Sequence, residues 1–211
     1  MAGHPIFAAL YDRMTARAEH GGLGEMRAEL LARASGRTVE LGAGTGANAA
    51  HYPAAVTEAV FTEPDPHMAR RLREKLAAEP RSFRFEVAET GAEQLPFDDD
   101  SFDTVISTLV LCTVDDPDRT AAEIRRVLRP AGSLLLLEHV RDPDDGRLGG
   151  WQDRLESPWG WMAAGCHPNR ETAATLAAAG FDVSRLSAAK LPKSPPLVRP
   201  LIRGSVKAPA G

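Results

Sequence analysis

A glycine-rich segment after a predicted strand constrains the fold most strongly. Val39 to Asn48 reads V-E-L-G-A-G-T-G-A-N, and the next apolar strand, Val56 to Thr62, runs into Glu63. Glycine adopts backbone conformations that side chains exclude, so the segment predicts a turn whose main chain is open to a ligand. An acid at the end of the neighbouring strand can hold two vicinal hydroxyl groups. Together these features predict a parallel sheet that binds a nucleoside, with the ribose on Glu63.

Strand-like and helix-like segments alternate around this turn, which indicates a parallel sheet with helices on both faces. The predicted strands are residues 38–41, 56–62, 83–88, 104–108 and 133–140, with two more at 181–186 and 198–206. The predicted helices are residues 6–19, 23–34, 46–52, 66–78, 118–128 and 170–179. Ligands of such sheets bind beyond the carboxyl ends of the strands, so the site is expected at that edge.

The composition of the chain argues against several classes of function. The 211 residues carry a net charge of −4 and contain no lysine- or arginine-rich run, which argues against nucleic acid as a partner. No segment is long and apolar enough for a membrane span or an export signal, so a cytoplasmic location is expected. Cys112 and Cys166 are too few for a disulfide framework or a cysteine zinc site, and Cys112 is expected to be an apolar filler. No metal site is predicted, because His20 and His51 lack partner ligands at useful spacing.

Two nucleoside cofactors fit the glycine turn. Gly42 and Gly44, with a small residue three positions on, satisfy the dinucleotide spacing, and Glu63 follows where a ribose acid is expected. These residues alone therefore do not exclude NAD as the cofactor. Glu40 favours S-adenosylmethionine, because its carboxylate would attract an ammonium group and repel a pyrophosphate. Gly46 also favours S-adenosylmethionine, since a third glycine gives a turn that is less tight than the turn of dinucleotide-binding proteins.

Two further segments carry a resemblance to a known family. Residues 92–103 read A-E-Q-L-P-F-D-D-D-S-F-D, and residues 126–132 read R-V-L-R-P-A-G. Together with the glycine turn they resemble the class I S-adenosylmethionine-dependent methyltransferases across residues 38–140. The resemblance implies a Rossmann-like α/β fold with a seven-stranded sheet, helices on both faces and an antiparallel last strand. It also implies a single domain, made of N-terminal helices over the cofactor (1–36), a cofactor-binding core (37–140) and an acceptor-side insertion with the C-terminal strands (141–211).

A narrower likeness extends over nearly the whole chain. The segments G-T-G-A-N, T-L-V-L-C-T-V, E-H-V, G-C-H-P-N-R-E-T and V-R-P-L-I-R-G-S-V-K are similar to the methyltransferase-like 7 group. Its animal members are membrane-anchored alkyl thiol S-methyltransferases, and no such anchor is expected here. The likeness implies methyl transfer to a small-molecule thiol. A phenol, an amine or a quinone-like carbon are the alternative acceptors, and an NAD-dependent oxidoreductase is the alternative enzyme class.

The resemblance assigns S-adenosylmethionine, which would leave as S-adenosylhomocysteine, to a defined set of residues. The ribose is expected on Glu63, the methionine ammonium near Glu40 and the adenine beside Met68, for which plain core packing is the alternative. The expected cofactor-binding residues are Tyr11, Glu40, Gly42, Gly44, Gly46, Glu63, Pro64, Met68, Ala92, Glu93, Thr108 and Leu109.

A histidine is the candidate for acid–base chemistry. His139 follows Glu138 at the ligand end of the predicted strand 133–140. An imidazole with a pKa of about 6.5 can take a proton from a thiol with a pKa of about 8.5. We therefore predict that His139 is the catalytic base, with a structural hydrogen bond to the backbone as the alternative.

The residues of the acceptor pocket are marked less clearly. Trp151, His167 and Arg170 are candidates for contact with the acceptor. Packing against the sheet would explain the tryptophan equally well. A helix that begins near Asn169 would explain the other two as part of its cap.

Overall fold

The computed structural model describes residues 12–13, 15–142 and 146–208. The predicted helix 6–19 therefore lies partly outside the described residues, and so does Tyr11. Residues 15–18 are helical and continue through a π-helical turn, Glu19–Leu23, into helix α1, Gly24–Leu31. Gly22 has a φ of 123°, which no β-branched or bulky residue adopts easily. It marks a kink between the predicted helices 6–19 and 23–34.

Seven strands form one sheet in the order β3-β2-β1-β4-β5-β7-β6. They are β1 Gly36–Leu41, β2 Val56–Thr62, β3 Arg84–Ala88, β4 Phe102–Thr108, β5 Leu128–His139, β6 Ser187–Lys190 and β7 Pro200–Lys207. Strands β1 to β5 pair in parallel, and β7 pairs antiparallel with both β5 and β6. This confirms the predicted Rossmann-like sheet with its antiparallel last strand.

Apolar layers lie on both faces of the sheet, as the runs of apolar residues in its central strands require. Successive residues of a strand point to opposite faces. In β5, Leu134 and Leu136 accordingly pack into one layer, and Leu135 and Leu137 pack into the other. The ends of these rigid strands hold the candidate site.

Four more helices cover the sheet: α2 Pro66–Ala77, α3 Pro117–Val127, α4 Arg147–Met162 and α5 Thr172–Ala178. Helices α2 and α3 begin with the same signal, an aspartate cap followed by proline at the first helical position. Asp65 Oδ1 accepts hydrogen bonds from the amides of His67 at 2.8 Å and Met68 at 3.2 Å. None of the described helices is long and apolar enough to cross a bilayer.

Two predicted elements are wrong. The segment 46–52 forms only a 3₁₀ turn, Ala49–His51, because Gly46 has a φ of 81° and Pro53 disfavours helical backbone in the residue before it. The segment 181–186 is not a strand. The Asp182 carboxylate accepts a hydrogen bond from the Ser184 amide at 3.0 Å and starts a 3₁₀ turn, so the strand begins only at Ser187.

Helix α4 was not predicted, because its sequence shows no helical pattern of apolar residues. It contains all three tryptophans of the chain. Gln152, which is fully buried, fixes this helix to the rest of the fold. Its Nε2 lies 2.9–3.1 Å from the carbonyl oxygens of Val140, Pro168 and Leu197, and its Oε1 accepts a hydrogen bond from the Asp142 amide at 2.8 Å. One side chain thus joins α4 to three separate segments.

Candidate functional site

The glycine turn after β1 has the left-handed backbone that its sequence predicted. The φ angles of Gly42, Gly44 and Gly46 are 50°, 56° and 81°. A Cβ atom at Gly42 would lie 3.0 Å from the Val110 side chain, and one at Gly46 would lie 2.8 Å from Leu72. Glycine is therefore required for both the backbone angle and the space at these two positions.

Glu63 lies beside this turn, at the end of β2. Its Oε2 accepts a hydrogen bond from the Gly44 amide at 2.8 Å, and its Oε1 accepts one from the Asp65 amide at 2.9 Å. Burial raises the pKa of Glu63, while the two amides act in the opposite direction. Because a carboxylate oxygen has two lone pairs, each Glu63 oxygen retains capacity to accept a further hydrogen bond, such as one from a ribose hydroxyl.

Glu40 is enclosed more completely, with only 2% of its surface exposed. Tyr52 donates its hydroxyl hydrogen bond to Oε2 at 2.7 Å, and Asn48 Nδ2 donates to Oε1 at 3.1 Å. Burial raises the pKa of Glu40 to about 7. The carboxyl group lies at the ligand end of β1, where an incoming ammonium group would stabilise its charged form.

Arg27 of helix α1 is a buried cation that the sequence analysis missed. Its Nη1 donates to Asn48 Oδ1 at 3.0 Å and to Thr108 Oγ1 at 2.9 Å. Its Nε donates to Glu19 Oε1 at 3.1 Å. Asn48 also donates to Thr108 at 2.9 Å, so the amide joins the ends of β1 and β4. No sequence pattern marks an arginine that reaches strand ends so far along the chain.

Of the remaining residues expected at the cofactor, those that the structure describes lie at the same edge of the sheet; Tyr11 is outside the described residues. Met68 and Ala92 are buried, whereas Pro64 is exposed. Glu93 Oε1 accepts a hydrogen bond from the Asp115 amide at 3.0 Å. Leu109, the residue after β4, has a φ of 61°, which is unusual for a bulky residue. Strained backbone of this kind concentrates at ligand sites, so the position of Leu109 is consistent with a binding role.

His139 does not bond the backbone as the alternative interpretation required. The imidazole is 4% exposed, and its Nε2 lies 3.0 Å from Cys166 Sγ. Trp159 Nε1 donates to the same sulfur at 3.2 Å. The other ring nitrogen of His139, Nδ1, is buried and has no hydrogen-bond partner among the residues that the structure describes.

Cys112 is buried in the apolar core, as expected, and its sulfur also lies in the same cluster. The ligand atoms of Cys112, His139 and Cys166 all lie within 4.8 Å of one another, and all three residues are buried. The hydrogen bond from Cys112 and those from His139 and Trp159 lower the pKa of Cys166. The hydrogen bond and burial raise the pKa of Cys112.

The three residues predicted for the acceptor pocket lie in different surroundings. The Trp151 ring is 52% exposed at the surface of α4, with the Arg154 guanidinium 5.8 Å from its centroid. His167 Nδ1 lies 2.6 Å from Glu156 Oε1. Arg170 donates to the Val114 carbonyl at 2.8 Å. Of the tryptophans of α4, Trp159 is the one whose ring nitrogen reaches the His139 cluster.

Comparison with known proteins gives consistent matches. Residues 39–136 match the family described as methyltransferase domain. The human thiol S-methyltransferase TMT1B is 39% identical over 155 residues, which cover 72% of this chain and 63% of that protein. Human thiol S-methyltransferase TMT1A is 36% identical over 168 residues, covering 79% of this chain and 68% of that protein. The chain thus spans less than two thirds of the length of TMT1B.

A solved structure has the same fold over nearly the entire chain. It is a methyltransferase from Thermotoga maritima that depends on S-adenosylmethionine and is described as a possible histamine N-methyltransferase. The TM-score is 0.69, the sequence identity is 24%, and the match covers 97% of this chain and 98% of the other. At this identity the likeness concerns the fold.

Proposed function

Because the chain belongs to the class I S-adenosylmethionine-dependent methyltransferase family, we propose that it transfers the methyl group of this cofactor to a small-molecule thiol. The observation that carries the proposal is the joint position of the glycine turn and Glu63. The Gly44 amide bonds the Glu63 carboxylate directly, so the turn and the acid form one surface. A ribose held by Glu63 would allow the rest of the cofactor to lie along the ends of β1 and β4.

The methionine part of the cofactor would lie beside Glu40 and Thr108. An ammonium group near Glu40 would meet a carboxyl group that Asn48 and Tyr52 already orient. A carboxylate near Thr108 would meet the buried cation of Arg27. Charges of opposite sign would thus face both ends of the amino acid group.

A thiol is the acceptor that this arrangement supports best. The cofactor supplies the electrophile, so the protein needs mainly to align the acceptor with the methyl group at about 3–3.5 Å. Thiols ionise partly near neutral pH, and the thiolate is intrinsically nucleophilic. His139 stays our candidate for proton acceptance, with His167 and Arg170 as candidates for contact with the acceptor. The relatives named thiol S-methyltransferases support the same acceptor.

A panel of acceptors tests the proposal. The purified chain is incubated with S-adenosylmethionine and with matched sets of alkyl thiols, phenols, amines and quinols, and methylated products are identified by mass spectrometry. We expect S-methylated products from the thiols. Turnover of phenols, amines or quinols with none of the thiols would contradict a thiol acceptor. Hydride transfer with NAD and no methylated product would contradict the reaction class.

A further inference from the structure

We infer that Cys112 Sγ, Cys166 Sγ and His139 Nε2 bind a zinc ion. The inference goes beyond the proposed methyl transfer and does not depend on it. It replaces one part of that proposal, because an imidazole whose Nε2 binds zinc acts as a metal ligand and not as the proton acceptor. Two thiol groups and one imidazole converge in the buried cluster described above, with ligand atoms within 4.8 Å of one another. Two sulfurs and one nitrogen form a soft donor set, which suits zinc and excludes magnesium and calcium, since those ions take oxygen ligands.

Three separate segments bring these side chains together, and main-chain hydrogen bonds hold the segments in place. Cys112 follows β4, His139 ends β5, and Cys166 lies beyond α4. The His167 amide donates to the Cys112 carbonyl at 2.7 Å, which ties the segment of one cysteine to that of the other. The arrangement therefore exists before any ion binds, and this lowers the ordering cost of binding.

The surroundings of the cluster suit a metal ion. All three ligand residues are buried. Among the described residues, no arginine or lysine bonds Cys166 Sγ, whose side-chain partners include His139 Nε2 at 3.0 Å and Trp159 Nε1 at 3.2 Å. A zinc ion bound to this sulfur would therefore meet no competing cation there.

The distances are close to those of a zinc site. Zinc lies about 2.3 Å from sulfur and about 2.0–2.1 Å from imidazole nitrogen, which at tetrahedral angles separates the two ligand atoms by about 3.6 Å. The present separation of 3.0 Å between His139 Nε2 and Cys166 Sγ must therefore widen by about half an ångström. Trp159 would remain as a donor to the metal-bound sulfur, the kind of outer contact that tunes such sites.

Three protein ligands would leave the fourth position of a tetrahedral ion open to water or to an added thiol. On the proposed function, the methyl acceptor is itself a thiol, so it belongs to the class of ligand that this position takes. Metal binding is therefore measured without acceptor or cofactor, and a failure of methyl transfer would leave the metal result unaffected.

Metal titration tests the inference. The full-length chain is reduced, freed of metal with a chelator and titrated with Zn²⁺ against a chromophoric competitor, and with Co²⁺ for its absorption spectrum. We expect one ion per chain and a thiolate-to-cobalt charge-transfer band. Cys112→Ser, Cys166→Ser and His139→Gln should each weaken Zn²⁺ binding by about 100-fold or more, since even outer-shell changes cost about 10–100-fold.

Two more variants locate the ion within the cluster. Trp159→Phe keeps an aromatic side chain but removes the indole N–H group together with the five-membered ring, so it should weaken Zn²⁺ binding by about 10-fold. His20→Gln, at an exposed histidine, should bind Zn²⁺ like the parent chain. Circular dichroism establishes that each variant is folded. Absence of the charge-transfer band, or equal Zn²⁺ affinity in the parent chain and Cys166→Ser, would overturn the inference.

Discussion

Glu40 is a buried residue whose protonation should affect stability measurably. Burial raises its pKa from 4.5 to about 7. A carboxyl group with a raised pKa binds a proton on folding. Its contribution to stability is therefore complete below pH of about 4.5 and is lost as the pH rises through about 7. At about 1.4 kcal/mol for each pKa unit, the contribution reaches at most about 3 kcal/mol.

Glu40→Gln should reduce the loss of folding stability that accompanies a rise in pH. The amide resembles the protonated carboxyl group in shape, and the Tyr52 hydroxyl can accept as well as donate a hydrogen bond. Urea unfolding of the cofactor-free chain between pH 4.5 and 7.5 measures the slope. The exposed Glu86→Gln serves as the control and should keep the parent slope. An unchanged pH dependence in Glu40→Gln would show that this carboxyl group does not titrate in the range.

His139→Ala should leave cofactor binding unchanged and slow methyl transfer by about 100-fold, the lower end of what general base catalysis contributes. Binding is measured by calorimetry and transfer by single-turnover kinetics with an alkyl thiol. His20→Ala is the matched control at an exposed histidine. Transfer at the full rate in His139→Ala would refute an essential role for the imidazole. Metal content then distinguishes a base from a zinc ligand.

The sequence marked single residues of the candidate site only where a local pattern exists. The glycine turn and Glu63 lie close in the chain and were found together. Arg27 was missed because it meets Thr108 only after α1 packs against the end of β4. The convergence of Cys112, Cys166 and His139 could not be predicted, because a count of cysteines does not reveal which histidine the fold places beside them.

At the scale of elements, the parallel core was predictable and helix α4 was not. Apolar strands and capped helices carry their own signals, as the pair Asp65 and Pro66 illustrates. Helix α4 contains Gly149, Gly150 and Pro158, all poor helix formers. Its stability must come from tertiary contacts, foremost those of Gln152 with main-chain groups of other segments.

Gln152→Ala should therefore destabilise the fold strongly. The change removes the two N–H groups that three buried carbonyl groups share and the acceptor of the half-buried Asp142 amide. Each buried polar group left without a partner costs about 1–3 kcal/mol where water cannot replace it. We expect a loss of about 2–4 kcal/mol and a fall in Tm of about 4–16 °C for a chain of this size. Thermal unfolding of Gln152→Ala and of the exposed Gln94→Ala is the comparison. Equal Tm values would show that this glutamine does not anchor α4.

At the scale of the whole molecule, the strand order explains how residues from distant segments form one site. Strands β2 and β4 lie on opposite sides of β1, so the chain changes direction across the sheet there, and a crevice opens at the carboxyl ends. Glu40, Glu63, Thr108 and His139 all stand at that edge. The positions of Glu40 and Glu63 were predictable from the local motif, whereas the residues that meet them at this edge depend on how the chain packs.

The central claim is that Glu63 and the glycine turn bind the adenosyl part of S-adenosylmethionine. Calorimetric titration of the parent chain, Glu63→Ala and Glu63→Asp tests it most directly, with NAD as the competing ligand. We expect the parent chain to bind S-adenosylmethionine and not NAD, and Glu63→Asp, which keeps the carboxylate, to retain binding. Glu63→Ala should weaken binding by about 10- to 100-fold, since hydrogen bonds to a charged group are worth about 1.5–3 kcal/mol. No heat with S-adenosylmethionine under saturating conditions, or equal affinity in Glu63→Ala, would contradict the account.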